Sequence, residues 1–195
     1  MDPINILVGV VILVSLGANL GSVKVGVKSS LSNTVVKPKS YLQKVPPNFS
    51  AFILVLQILG MFGIGLYEQQ IENQYFAIRI VGLICFGLFS WMQIAASKSL
   101  GKNYSQEVLI LKGHELKTGG IYKFIRHPQY MTQILADIGA GVALLNYIVL
   151  PLVVLVEMPL LILRAGLEDK ILSKHFKDEF VSYKKKSGFM VPFIG

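Results

Sequence analysis

One cysteine, one tryptophan and three histidines stand among 195 residues. A single thiol, Cys85, excludes a disulfide framework. One Cys and three His are too few for a structural zinc site, and no metal is expected. Charge is also scarce. Only 15% of residues are Asp, Glu, Lys or Arg, against about 25% in a soluble domain. There is no P-loop and no Gly-x-Gly-x-x-Gly between a strand and a helix, no internal repeat and no low-complexity tract. Apolar material is abundant, at 53% of the chain. That excludes disorder and points to an integral membrane protein.

Acids are the scarcer charge, 11 against 19 bases, for a net +8. A basic excess suits nucleic acid or a cytoplasmic membrane face, and its distribution decides between them. Lys24, Lys28, Lys37, Lys39 and Lys44 form one stretch. Lys98, Lys102, Lys112, Lys117, Lys123 and Arg126 form a second. Arg164, Lys170, Lys174, Lys177 and Lys184 to Lys186 form a third. Apolar runs separate them, and the connection between the second and third runs holds Glu68 and Glu72 without a base. This is the positive-inside pattern, so no nucleic-acid partner is expected.

The chain reads as all-α and polytopic, with two parts. Residues 1–99 carry three spans, at about 4–20, 50–67 and 75–97. A signal peptide is the rival reading of the first run, but its leading segment holds Asp2 rather than bases. Residues 21–48 read as a polar loop in which Pro46-Pro47 stops any helix, and Asn48 or Ser50 caps the next. Arg79, near a span end, is placed to snorkel. Gly60, Gly63, Gly65, Gly82 and Gly87 permit close helix approach.

Residues 100–195 hold a polar, basic segment, then the 33 largely apolar residues 131–163. At 1.5 Å per residue that is about 50 Å of helix, against a bilayer core of about 30 Å. A helical hairpin turning near Asn146 and Pro151 resolves the mismatch. The tail from Arg164 to Tyr183 reads as one amphipathic helix with Leu167, Ile171, Leu172 and Phe176 on a face and Phe180 following. Five spans from an outside N-terminus put every basic stretch in the cytoplasm. Four spans would leave the basic tail outside, against the charge rule.

Asp137, Glu157, Arg164 and Glu168 fall in or beside the last apolar stretch, where ionisable groups are functional candidates. Glu157, Arg164 and Glu168 share a helical face. The plainer alternative is an interfacial Arg–Glu pair marking a helix end. A second constellation runs from Thr118 to Tyr130, with Gly119, Gly120, Tyr122, Arg126, His127 and Pro128. It suits either ligand approach at a glycine turn or aromatic anchoring at a membrane surface. From the residues alone, the reading is a polar cytoplasmic site above a helical bundle.

Arg126-His127-Pro128-Gln129-Tyr130, preceded by Gly120-Ile121-Tyr122, resembles the RHPxY signature of the isoprenylcysteine carboxyl methyltransferase family. His114-Glu115-Leu116-Lys117 lies where that family has its first cofactor segment. Arg164-x-x-x-Glu168 matches a family spacing. The tail from His175 through Tyr183 to Pro192-Phe193-Ile194 resembles the family's C-terminal cover. The resemblance spans about residues 100–195.

It implies S-adenosyl-L-methionine (SAM) as methyl donor, S-adenosyl-L-homocysteine as product, and the carboxylate of an S-prenylated cysteine, reached from the bilayer, as acceptor. Carried over, His114 to Lys117, Tyr122 and His127 to Tyr130 line the cofactor pocket. Glu168 contacts the cofactor's amino-acid end, and Arg164 holds the substrate carboxylate, the two being the catalytic pair. The family's contact in the preceding loop has no residue assigned between Glu107 and Ile110. Direct SN2 transfer needs no general base, since a carboxylate is ionised at neutral pH. Alternatives are a phospholipid or other lipid-amine N-methyltransferase, whose C-terminal region is related, a sterol-reductase-like oxidoreductase, and a non-enzymatic membrane protein.

Overall fold

The computed structural model describes residues 2–32, 34–67, 71 and 74–195. Glu68 and Glu72, part of the charge alternation, lie outside the described residues, as do the side chains of Lys24 and Lys28. Helix α1 is Pro3–Ser32, α2 is Val45–Met61, α3 is Phe76–Leu100 and α4 is Pro128–Leu144. Helix α5 runs through Val149–Phe176 with one π turn at Val153–Glu157, and α6 is Asp178–Lys184. The fold is helical, as the sequence implies. One small ribbon departs from that: β1 (Thr34–Val36) pairs antiparallel with β2 (Ile110–Leu111).

Among the described residues, four helical stretches are long and apolar enough to cross a bilayer: Pro3–Gly21, Tyr41–Met61, Phe76–Asn103 and Val149–Phe176. Helix α4, with 17 residues, is about 26 Å long, short of a bilayer core. It forms the expected hairpin with α5. Leu145 turns the chain in a left-handed conformation at φ 48°. The Asn146 carboxamide oxygen accepts from the Ile148 and Val149 amides at 3.0 and 2.9 Å, capping α5. Large apolar side chains such as Leu13, Trp91 and Leu155 point outward, 71%, 66% and 72% exposed. Such outward apolar surface suits a hydrocarbon environment.

Three local expectations are corrected. Helix α1 does not end at residue 20 but runs to Ser32. Hydropathy marks where a bilayer core ends, whereas backbone hydrogen bonding continues until something breaks it, and the first proline after α1 is Pro38. Pro46 and Pro47 do not stop a helix ahead of α2; they sit in its first turn, where a missing N–H costs no hydrogen bond. Nor is the tail one helix. Lys177, at φ 46°, ends α5 and turns the chain into α6.

Arg79 also differs from expectation. It does not snorkel but is fully buried. Its guanidinium donates to Asp2 at 2.8 and 3.2 Å, to Asn5 Oδ1 at 2.9 Å and to the Ala143 carbonyl at 2.9 Å. Asp2 also accepts from the Ile4 and Asn5 amides at the start of α1. The pair therefore ties α1 to the α3–α4 pair. Helices α3 and α4 approach at glycines. A Cβ on Gly82 would lie 2.8 Å from the Gly139 carbonyl oxygen, and one on Gly139 would lie 2.7 Å from the Phe86 amide. Around this contact, Ile4, Val8 and Ile12 of α1 meet Phe86, Ala140 and Leu144 in the main core.

Candidate functional site

The C-terminal end of α3 and the N-terminal end of α4 lie at the same end of the bundle, joined by residues 101–127. Pro128 occupies the first turn of α4 and His127 caps it. Because α5 has 28 residues, about 42 Å of helix, it outruns a bilayer core and carries its last turns into this cap. Helix α6 then folds over: the Tyr183 hydroxyl donates to the Tyr122 carbonyl at 2.6 Å, and Phe180 is buried.

Beneath this cover is a cavity with an open mouth. Its wall includes His114, Leu116, Lys117, Tyr122 and the run His127 to Tyr130, with Glu168 opposite. The structure thus brings together nearly all the residues singled out for a cofactor. Glu115 is the exception. It is exposed and pairs with Lys102 at 3.0 Å, outside the cavity wall.

Sequence reasoning missed several wall residues. Asn103, Ser105, Glu107, Val108 and Leu109 line the cavity from the loop in which no residue was assigned. Their placement comes from far away in sequence. Gln43 Nε2 donates to the Val108 carbonyl at 2.7 Å, and its Oε1 accepts from the Val108 amide at 2.9 Å, as a neighbouring strand would. Lys37 pairs with Glu107 at 2.7 Å.

Asp169 was also missed. Its Oδ1 lies 2.7 Å from His127 Nε2 and its Oδ2 accepts from Arg126 Nε at 3.2 Å. Arg126 reaches on to the Ser187 carbonyl at 2.5 Å, fastening the tail to the site. The one signal available was that Asp169 follows Glu168 on a helix facing the RHP run.

Tyr130 links the two residues expected to do the chemistry. Its hydroxyl donates to Glu168 Oε2 at 2.9 Å and accepts from Arg164 Nε at 3.1 Å. Most of the Arg164 guanidinium is taken up by backbone carbonyls. Its Nη1 donates to the Leu42 and Gln43 carbonyls at 2.7 and 3.0 Å, and its Nη2 to the Gln106 carbonyl. Of five guanidinium N–H groups, one on Nη2 is left for another acceptor. Arg164 lines a second cavity, which shares Ser105, Gln129 and Tyr130 with the first.

Two buried polar atoms in the first cavity's wall, His114 Nδ1 and Gln129 Nε2, have no hydrogen-bond partner. Such atoms are rare unless something polar meets them. Burial holds His114 below the usual histidine pKa, so its ring is neutral at pH 7. Burial raises the Tyr104 and Tyr122 hydroxyls and pushes Tyr183 up to about 12, so all three stay protonated donors. The two unpartnered atoms, with the Glu168 carboxylate, suit a polar ligand.

A membrane-embedded helical bundle with a capped polar cavity at one end is the class of protein that this fold and site define. The model of the "Isoprenylcysteine carboxyl methyltransferase (ICMT) family" matches residues 80–174. The protein-S-isoprenylcysteine O-methyltransferase of Saccharomyces cerevisiae is 30% identical over 117 residues, covering 59% of this chain and 49% of that protein. The human protein of the same name is 29% identical over 119 residues, covering 60% of this chain and 42% of that one. The chain spans about half the length of the curated relatives it matches. A solved structure of a eukaryotic intramembrane Ras methyltransferase shares the fold, with a TM-score of 0.60 at 24% identity, covering 77% of this chain and 54% of that one. Over residues 80–174 the chain is thus similar to the isoprenylcysteine carboxyl methyltransferase family, and it shares the fold of the solved member.

Proposed function

We propose that this chain is an integral membrane methyltransferase that uses SAM to esterify the carboxylate of an S-prenylated cysteine. The observation that carries the reading is the junction of two cavities at Tyr130, with Glu168 on one side and Arg164 on the other. The first cavity fits SAM: it offers unpartnered polar atoms at His114 and Gln129, aromatic surface at Tyr122 and a carboxylate at Glu168 for an ammonium. When bound, SAM would supply an electrophilic methyl group, with S-adenosyl-L-homocysteine as the product.

The residues of the chain position and desolvate. Tyr130 and Arg164 both line the second cavity, so an acceptor carboxylate there would have the remaining Nη2–H of Arg164 as its donor, the Tyr130 hydroxyl proton being given to Glu168. That is a single N–H contact rather than a bidentate fork. No side chain has to remove a proton, since the acceptor is ionised at neutral pH. Rate acceleration then comes from orientation and exclusion of water by the α6 cover. In this reading the α4–α5 hairpin makes the fourth and fifth crossings, the short α4 completed by its flanking residues, with the capped end facing the cytoplasm as charge asymmetry requires.

The test is the purified chain in lipid with methyl-labelled SAM and a small prenylcysteine. Base-labile methanol released from product is expected, and Arg164→Lys should lower turnover with SAM binding retained. SAM binding without any carboxyl ester would overturn the acceptor assignment.

A further inference from the structure

Helix α5 carries one continuous outer face from the bilayer into the cap. Pro159, Ile162 and Leu163 are exposed and apolar. In further steps of three and four residues the same face reaches Gly166, Lys170 and Lys174. These three line an open cleft, together with Lys184 at the end of α6, Phe189 of the tail and the buried pair Arg126–Asp169.

The charge in this cleft is unbalanced. Arg126 is already committed to Asp169 and to the Ser187 and Gly195 carbonyls. Asp169 is the one acidic side chain in the lining, and Arg126 and His127 hold it. Lys170, Lys174 and Lys184 form no ion pair among the described residues. Lys170 stands seven residues past Leu163, about 10 Å along the helix, where polar headgroups replace hydrocarbon. Long helical side chains lean toward the helix N-terminus, which for α5 is the bilayer side. Gly166 leaves room for a ligand, since a Cβ there would meet nothing within 4 Å.

The tail supplies a second, independent observation. Val191, Phe193 and Ile194 are exposed. They form a turn in which the Ile194 amide donates to the Val191 carbonyl at 3.2 Å and the Phe189 amide to the Ile194 carbonyl at 2.7 Å. Phe189 and Gly195, at the two ends of this apolar tip, line the cleft. An exposed apolar tip beside unpaired lysines suits a membrane surface, where the acyl boundary takes the tip and anionic headgroups take the lysines.

We infer that the cleft seats the phosphate of an anionic phospholipid whose acyl chains lie along Ile162 and Leu163. Lys170 and Lys174 belong to α5 and Lys184 to α6, so the phosphate bridges the seam between the two helices. Arg126 and Phe180 line both this cleft and the first cavity. The seated lipid therefore holds the α6 cover closed over that cavity. Its effect on the cofactor rests on the proposed reading that the first cavity takes SAM.

The test places the whole chain in bilayers of phosphatidylcholine alone and of an equimolar mixture with phosphatidylglycerol. Native mass spectrometry of the released protein reads the lipid that stays bound. Wild type should retain phosphatidylglycerol in preference to phosphatidylcholine. Lys170→Gln, Lys174→Gln and Lys184→Gln combined should lower that preference about a hundredfold, each lysine near an anionic surface contributing about a fivefold factor. Gly166→Leu keeps every lysine but fills the cleft, and should also abolish retention. It separates a built site from diffuse surface attraction, and it stands in if the triple variant fails to fold. SAM affinity by calorimetry should be about fivefold or more tighter in the mixed bilayer for wild type, and equal in the two bilayers for the variants.

Equal retention of the two lipids by wild type overturns the inference, as does phosphatidylglycerol retention unchanged in both variants. If inorganic phosphate added to the phosphatidylcholine bilayer raises the melting temperature as much as phosphatidylglycerol does, the cleft takes a soluble phosphate and the lipid assignment is overturned. If retention behaves as expected but SAM affinity is the same in both bilayers, closure of the cover is overturned. If SAM binds in neither bilayer, the cofactor reading fails by itself, and lipid retention still decides the site.

Discussion

His127 Nε2 sits 2.7 Å from Asp169 Oδ1, and the same carboxylate holds Arg126 through its other oxygen. Asp169 therefore anchors two consecutive residues of the 126–130 run to α5. Asp169→Ala leaves a buried guanidinium and imidazole without their acceptor. Loss of one partner of a buried ion pair costs roughly 3–5 kcal/mol. A fall in melting temperature of several degrees is expected in differential scanning fluorimetry, with Asp169→Asn milder because it keeps one acceptor oxygen.

Tyr130 and Glu168 should separate binding from turnover. Glu168→Ala removes a carboxylate from the first cavity, and a charge-assisted hydrogen bond contributes about 1.5–3 kcal/mol. SAM affinity measured by calorimetry should fall about tenfold or more. Tyr130→Phe keeps the wall's shape and removes the hydroxyl that links Arg164 to Glu168. Its effect should fall on kcat more than on SAM affinity.

His114 supplies a pH signature. Burial holds its pKa below the usual histidine value in the fold, so on acidification the unfolded chain takes up this proton first. The contribution of neutral His114 is complete above about pH 6.5 and is lost as pH falls below it. Melting temperature from pH 7.5 down to pH 5 should decline in wild type and decline less in His114→Gln. Equal slopes would show that another group controls the acid limb.

At alkaline pH the sign reverses. Tyr183 is pushed up to about 12 by burial. The unfolded chain releases this proton near pH 10, so stability drops between about pH 10 and 12. Tyr183→Phe should flatten that drop, while loosening the cover by removing the bond to the Tyr122 carbonyl.

Gly82→Ala tests the α3–α4 contact. The added Cβ would lie 2.6 Å from the Ala143 amide, which is backbone and does not yield as a side chain would. Overpacking of this kind costs about 1–3 kcal/mol. Gly87→Ala, with open space around it, should leave the melting temperature unchanged or raise it.

The apolar spans and the hairpin were legible because each depends on length and hydropathy alone. The reach of α1 to Ser32 was not, since hydropathy measures a solvent boundary rather than backbone hydrogen bonding. Most of the first cavity was legible from the run Arg126 to Tyr130, where consecutive residues share one loop and one helix start. Arg79 was misplaced because its partner, Asp2, is 77 positions away. Asp169 and the 103–109 loop escaped for the same reason. Their positions are set by His127 and by Gln43, which no local pattern connects to them.

The guanidinium of Arg164 fastens α5 to backbone carbonyls of Leu42, Gln43 and Gln106. Leu42 and Arg164 are 122 positions apart. The compartment where Arg164 stands therefore gains its walls only when early, middle and late parts of the chain have met. During synthesis the first three helices enter the bilayer as an unfinished vessel, and a single side chain of the last long helix closes its seam.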